Sequence, residues 1–302
     1  MFKTNKLKIA LLKTNQLPDS RLAALGKFLL IGLVLVIPGY FFLYPQIFHC
    51  EIIGFSDLEK INSNTYASPG LNAKQRSHIV KVIKKAEARV DSFWLGKQAS
   101  PKIILCGNQQ EYEKYCQSKE GAGCSLGTPW GQSYVVLNGQ GLNVDVISHE
   151  MSHVELLKRL GWWKTTMDIP QWFNEGTALM LDQRFVSNPD SIARYFDYMD
   201  EWLYQTGGGQ NILELKDIAS VKGFFAGSSK HVMLAYMTSG LEVSFWLSFA
   251  GKDGLQQLLS EINNGNDFTK SYFEIEKKAR SKNNVKLPAN PLRFQDLDKK
   301  YE

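Results

Sequence analysis

His149-Glu150-Met151-Ser152-His153 sets two imidazoles four residues apart with a carboxylate between them. On an α-helix such positions share a face, so His149 and His153 can reach one metal ion together. Glu150 is turned about 100° from His149 around that helix, which sets its carboxylate beside the ion rather than on it. A base standing there can take a proton from water. A tetrahedral catalytic site needs a third protein ligand and keeps its fourth position for water. Glu175 can supply that ligand, with 21 residues between it and His153. It lies in Ile169-Pro170-Gln171-Trp172-Phe173-Asn174-Glu175-Gly176-Thr177-Ala178, where Pro170 suits the first turn of a second helix. Two nitrogens and a carboxylate oxygen are a donor set that suits zinc.

Periodicity gives the elements that must carry these side chains. Apolar Val144, Val146, Ile147, Val154, Leu156 and Leu157 predict a buried helix over 143–160, with Gly161 as its stop. A helix over 171–185 carries Glu175. Upstream, Ile79, Val82, Ile83, Ala86 and Val90 predict a helix over 73–95. Strands follow at 103–105 and 133–138, with a short helix at 109–117 and a Gly-rich loop over 121–127. Downstream the pattern is helical, over 190–205, 229–249, 252–263 and 267–280. Strands in front and helices behind make an α+β order. Residues 49–72 read as a linker, with Asn62, Ser63, Asn64, Ser68, Pro69 and Gly70. Residues 281–302 read as a loosely packed C-terminal tail.

The chain has 302 residues, 44% hydrophobic and 22% charged, enough to bury a sizeable core. With 24 Gly, 10 Pro and 4 Cys it is not collagen, a low-complexity polymer or a disulfide-dense miniprotein. The net charge of +5 resides in residues 1–27, where Lys3, Lys6, Lys8, Lys13, Arg21 and Lys27 face Asp19 alone. The body is neutral, so the composition gives no support for a nucleic-acid partner. Residues 28–48 carry no charge and match the roughly 20 residues of a bilayer-spanning helix, with Tyr40, Tyr44 and Phe48 toward one end. The basic flank places 1–27 in the cytoplasm and everything after about residue 48 on the far side. No small-residue cleavage pattern precedes Cys50, so 28–48 reads as a retained signal anchor of a single-pass protein. Disulfides are permitted on that side. Among Cys50, Cys106, Cys116 and Cys124 the spacing suggests one local bridge, with the pairing open.

H-E-x-x-H followed by W-x-N-E-G resembles the gluzincin metallopeptidases. Trp172-Phe173-Asn174-Glu175-Gly176-Thr177-Ala178 is most similar to the second metal motif of aminopeptidase N-type enzymes and of the smaller MA-like peptidase domains. The resemblance implies a zincin-like domain over 73–280. Its N-terminal subdomain would hold a small mixed β-sheet with helices, and its C-terminal subdomain would be all-helical. It implies zinc held by His149, His153 and Glu175, with Glu150 as general base and a peptide or protein as substrate. It also implies a Tyr or His on the helical subdomain as oxyanion donor, and Tyr236 and His231 both stand in that region. Thermolysin carries an orienting aspartate four residues after the ligand glutamate; here Leu179 takes that position, so the partner of a histidine is unassigned. Aminopeptidases of this type hold the free amine of the substrate with a glutamate on the strand before the metal helix. Tyr134-Val135-Val136-Leu137-Asn138 contains none, although such a strand can pair with an extended peptide. The expected function is therefore a membrane-anchored zinc endopeptidase acting outside the cytoplasm. The alternatives are a catalytically silent zinc-binding assembly or binding module, and metal-dependent hydrolysis of a non-peptide substrate. Trp162 and Trp163, just after the metal helix, are candidates to face the membrane.

Overall fold

The computed structural model describes residues 36–118, 121–282 and 287–293. The chain divides into two compact units, residues 1–48 and 49–302. In the first, residues 36–43 are helical, and Val36, Phe42 and Leu43 are exposed. The tail 1–27 and residues 28–35 of the expected span lie outside the described residues.

The second unit is built in chain order. β1 (Glu59–Lys60) and β2 (Thr65–Ala67) lead into α1 (Ala73–Trp94), β3 (Lys102–Leu105) and α2 (Gln109–Cys116). β4 (Gly123–Gly127) and β5 (Ser133–Leu137) precede α3 (Val144–Met167) and α4 (Gln171–Leu179). α5 (Ser191–Thr206), α6 (Val221–Phe225), α7 (Ser229–Asn263) and α8 (Phe268–Lys282) complete it. This is an α+β architecture with one small mixed sheet, ordered β1-β2-β3-β5-β4. β2, β3 and β5 run parallel, while β1 and β4 are antiparallel edges.

Side chains alternate across a strand, so this sheet needs cover on both faces. Ile103, Leu105, Val135 and Leu137 join the main core with α1 and α3. Ile104, Cys106, Tyr134 and Val136 face the other way and pack with Tyr112 and Tyr115 of α2 and with Cys50 and Ile53. That second face corrects the reading of 49–72 as a linker: Cys50 and Ile53 cover the sheet, and Glu59–Lys60 and Thr65–Ala67 extend it. The expected Gly-rich loop over 121–127 instead forms the strand β4 from Gly123 to Gly127, and Gly123 and Gly127 let it lie close against α3. Cys116 and Cys124 are bridged, tying the end of α2 to β4, whereas Cys50 and Cys106 are free and buried.

In the helical half, α7 is wrapped by α4, α5 and α8. Its middle, from Met237 to Leu247, is buried on all sides, which explains why the sequence there is mostly apolar. Among the described residues it is the one helix long and apolar enough to cross a membrane, and it lies mostly inside the fold. Gly161 and Gly251 leave the helical conformation, with φ of 80° and 63°, so each breaks its helix into two segments across a kink, Gly161 at the stop expected for it.

The C-terminal segment is also firmer than its composition suggests. Arg293 pairs with Glu242 of α7 and Glu276 of α8, and Asn290 Nδ2 donates to Glu242 Oε2 at 2.7 Å. Residues 287–293 therefore strap the last two helices together. Removing one partner leaves a fully buried Glu242 carboxylate uncompensated. Arg293→Ala is expected to destabilise the domain by about 3–5 kcal/mol, read as a lowered midpoint in urea unfolding.

Candidate metal centre

α3 begins at Asn143, whose side chain accepts from the Val146 N–H and caps the helix. Arg89 of α1 holds that first turn through Asp145 at 2.5 Å. One turn further on, His149 and His153 project into a cleft of about 840 Å3. α4 crosses from the other side and brings Glu175 to them. Gly176 makes this crossing possible: a Cβ there would fall 2.6 Å from the Ser239 carbonyl and 2.5 Å from Val243 Cγ2 of α7. The glycine of the W-x-N-E-G block thus allows α4 to sit against α7.

His149 Nε2 lies 3.3 Å and His153 Nε2 3.5 Å from Glu175 Oε2. Ligand atoms at about 2.0–2.1 Å around a tetrahedral zinc ion stand roughly 3.3 Å apart, so these spacings suit that ion. Glu175 Oε2 is buried and has no hydrogen-bond partner, while Oε1 accepts from Gln171 Nε2 at 2.7 Å. The far nitrogens are supported as well. His153 Nδ1 donates to Asn174 Oδ1 at 2.8 Å, which turns the Nε2 lone pair toward the cleft. His149 Nδ1 faces Asp182 Oδ2 at 3.5 Å.

Asp182 Oδ2 is the carboxylate oxygen that faces His149, where position 179 offers none, and at 3.5 Å it stands just outside hydrogen-bond contact with Nδ1. It arrives because the chain tightens after α4: Met180, Leu181 and Asp182 N–H groups bond to Thr177, Ala178 and Leu179 carbonyls. The helix expected over 171–185 therefore ends at Leu179. Arg184 then grips Asp182 with Nε at 2.9 Å from Oδ1 and Nη2 at 2.5 Å from Oδ2. Periodicity carried no signal for this turn; Asn174, by contrast, stood beside the ligand glutamate and could be read from the motif.

Glu150 is buried beside the two imidazoles. Burial pushes its carboxyl above the usual range, opposed by His149 and His153, with a hydrogen bond from Ser125 of β4 also favouring the carboxylate. Tyr236 of α7 lines the same cleft, its ring 6.4 Å from that of His149. Burial raises its hydroxyl pKa well above normal, and Glu175 and Glu150 add to that, so it remains a donor. His231 is placed otherwise: it does not line the cleft, and its Nε2 spends a hydrogen bond on the Gly223 carbonyl at 2.8 Å, pinning α6. α6 itself was not foreseen; Phe225 at its end is part of the cleft wall.

The strand reading is corrected too. β5, which holds Tyr134–Leu137, is paired on both sides and offers no free edge. β4 is the edge strand, and Ser125 sits on it beside Glu150. Trp162 lines a second cavity next to His153, while Trp163 is exposed.

Without a cation, burial disfavours a charged His149, but Asp182 and Glu175 outweigh this and hold its pKa above normal. His153 is likewise raised: burial opposes the charge and Glu175 overrides it. A raised pKa favours the protonated imidazole, and metal binding must displace that proton. Zinc titration at pH 7 in buffers of different ionisation enthalpy should therefore show release of about one to two protons, with affinity falling as pH drops. Asp182→Asn should weaken zinc binding about 10–100-fold in the same calorimetric titration. A scan against protein-family models and a search of curated proteins both give no match to this chain.

Proposed function

We propose that this chain is a membrane-anchored, zinc-dependent endopeptidase acting outside the cytoplasm. The observation that carries the reading is the convergence of two Nε2 atoms on one buried Glu175 oxygen, with Glu150 standing alongside. His149, His153 and Glu175 hold the ion, while Asn174 and Asp182 fix the two rings. Zinc, when bound, supplies Lewis acidity to a water and to a carbonyl oxygen. Glu150 accepts the proton of the attacking water and passes it to the leaving nitrogen. Burial raises its carboxyl pKa above the usual range, the direction that helps it accept a proton. Tyr236 donates to the oxygen on which negative charge develops. The free edge of β4 gives an extended peptide a row of main-chain partners beside Glu150. Neither β4 nor β5 carries a carboxylate that could hold a free amine, which favours an internal bond as the target. The uncharged run 28–48 and its basic flank support the anchor and the orientation.

Metal content and turnover test this on the full chain in detergent. The wild type should carry about one zinc per chain and cleave denatured protein, and Glu175→Ala should lose most of the metal. Glu150→Gln should keep the zinc and lose turnover by about 10²–10⁴-fold. Cleavage by Glu150→Gln at the wild-type rate would sink the mechanism.

A further inference from the structure

We propose that Ile52, Phe55 and Trp130 form a foot that seats the domain on the headgroup layer of the bilayer, a proposal that rests on the anchor reading above. The chain leaves the expected span at residue 48, and Glu51 is three residues further on. Three residues reach at most about 10 Å even when fully extended. The headgroup layer adds roughly 5–8 Å beyond the hydrocarbon on each side. Glu51 therefore stands at the membrane surface however the span is tilted.

A hydrogen bond brings a distant aromatic residue to the same height. Trp130 Nε1 donates to Glu51 Oε1 at 2.7 Å, across 79 residues of sequence. Trp130 is at the tip of the β4–β5 hairpin, in a loop closed by several bonds. The Gly131 N–H donates to the Thr128 carbonyl and the Thr128 N–H to the Gln132 carbonyl, both at 3.0 Å. The buried Thr128 hydroxyl accepts from the Gln132 N–H at 2.9 Å, and Pro129 fixes the backbone just before Trp130. The loop thus holds the indole by its N–H and leaves the residue 49% exposed. An indole with its N–H satisfied and its ring uncovered is a side chain that membrane interfaces favour.

The residues directly after Glu51 add two more apolar groups. Ile53 is buried in the second core, whereas Ile52 and Phe55 are exposed, Phe55 at 93%. The Phe55 N–H donates to the Ile52 carbonyl at 2.9 Å, and residues three apart on so tight a turn share a face. Among the described residues Phe55 is the most exposed large apolar side chain. A cluster of such groups marks a surface that something covers. The bilayer that the chain has just left is within reach, and a soluble partner would have to fit between it and the domain. Trp163 is exposed as well, but among the described residues no hydrogen bond links it to 49–55 and so fixes its height. Because Trp130 is three residues beyond Gly127, the foot also sets the height of the edge strand β4 above the membrane.

The test uses the full chain in phosphatidylcholine vesicles. Lipid brominated near the headgroup end of one acyl chain serves as a contact quencher of indole fluorescence. The span carries no tryptophan, and Trp94, Trp172, Trp202 and Trp246 are buried, so quenching reports on Trp130, Trp162 and Trp163. Wild type should lose at least about twofold more fluorescence to brominated lipid than Trp130→Phe does. The double variant Ile52→Ser, Phe55→Ser, at exposed positions, should weaken quenching by a similar factor at an unchanged urea midpoint. High salt should leave the quenching as it is, since the contact is apolar. Equal quenching in wild type and Trp130→Phe, or none in either, overturns the foot. Quenching that falls as the protein-to-lipid ratio rises makes a second copy the occupant and overturns it too. Alkaline carbonate extraction keeps the two readings apart. If the chain stays with the vesicles and Trp130 is not quenched, the foot falls and the anchor stands. If carbonate releases a chain whose Trp130 was quenched, the foot stands and the anchor falls.

Discussion

Two imidazoles and a carboxylate, His149 and Glu175 buried and His153 half-buried, with ligand atoms within 4.8 Å of one another, are the constraint around which the rest is arranged. Ionisable groups cost free energy to bury unless each has a partner. The fold meets this by bringing partners from separate elements: Asn174 from α4, Asp182 from the turn after it, and Arg184 to hold Asp182 in turn. None of these can be moved alone. Asp182 reaches His149 only because α4 ends early, and α4 reaches α3 only because Gly176 lets it lie against α7. A backbone approach, a helix end and a ligand geometry are thus one structural decision.

The two halves of the domain contribute different things to that decision. The sheet half supplies α3, with both histidines and Glu150, and the edge strand β4. The helical half supplies Glu175, Tyr236 and the α6 segment that closes the cleft. The disulfide between Cys116 and Cys124 anchors β4 at the end nearest Glu150. An edge strand is otherwise held on one side only, so this bond steadies the rail on which a peptide would lie.

The parts of this arrangement that rest on local spacing could be read from the sequence. His149 and His153 share a helix face whatever surrounds them, and the helices at 73–95, 190–205 and 267–280 followed from their apolar period. Long-range effects could not be read that way. Residues 49–72 looked like a linker because Asn62, Ser63, Asn64, Ser68, Pro69 and Gly70 are turn formers, yet Cys50 and Ile53 are needed to cover the second face of the sheet. The 121–127 stretch looked like a loop because glycine is poor in strands, but Gly123 and Gly127 are there to let α3 approach. Arg293 sat in a charged tail whose partners, Glu242 and Glu276, lie 51 and 17 residues back. Asp182 was hidden for the same reason, since a tight turn rather than a periodic helix brings it in.

The protein also contains its own controls for what a purely structural buried acid looks like. Glu155, fully buried, accepts from the Gln98 and Ala99 N–H groups at 2.8 Å each and from Arg159. Glu242, equally buried, accepts from Tyr272, Asn290 and Arg293. In both, a complete set of fixed donors meets the carboxylate, as expected where the role is to hold elements together. Glu175 differs: one oxygen takes a hydrogen bond from Gln171, and the other faces two ring nitrogens with none. Sequence of the same kind and burial of the same degree thus lead to different surroundings. The Glu175 oxygen aimed at His149 and His153 is thus the one place among these three buried acids where a fixed donor is not supplied.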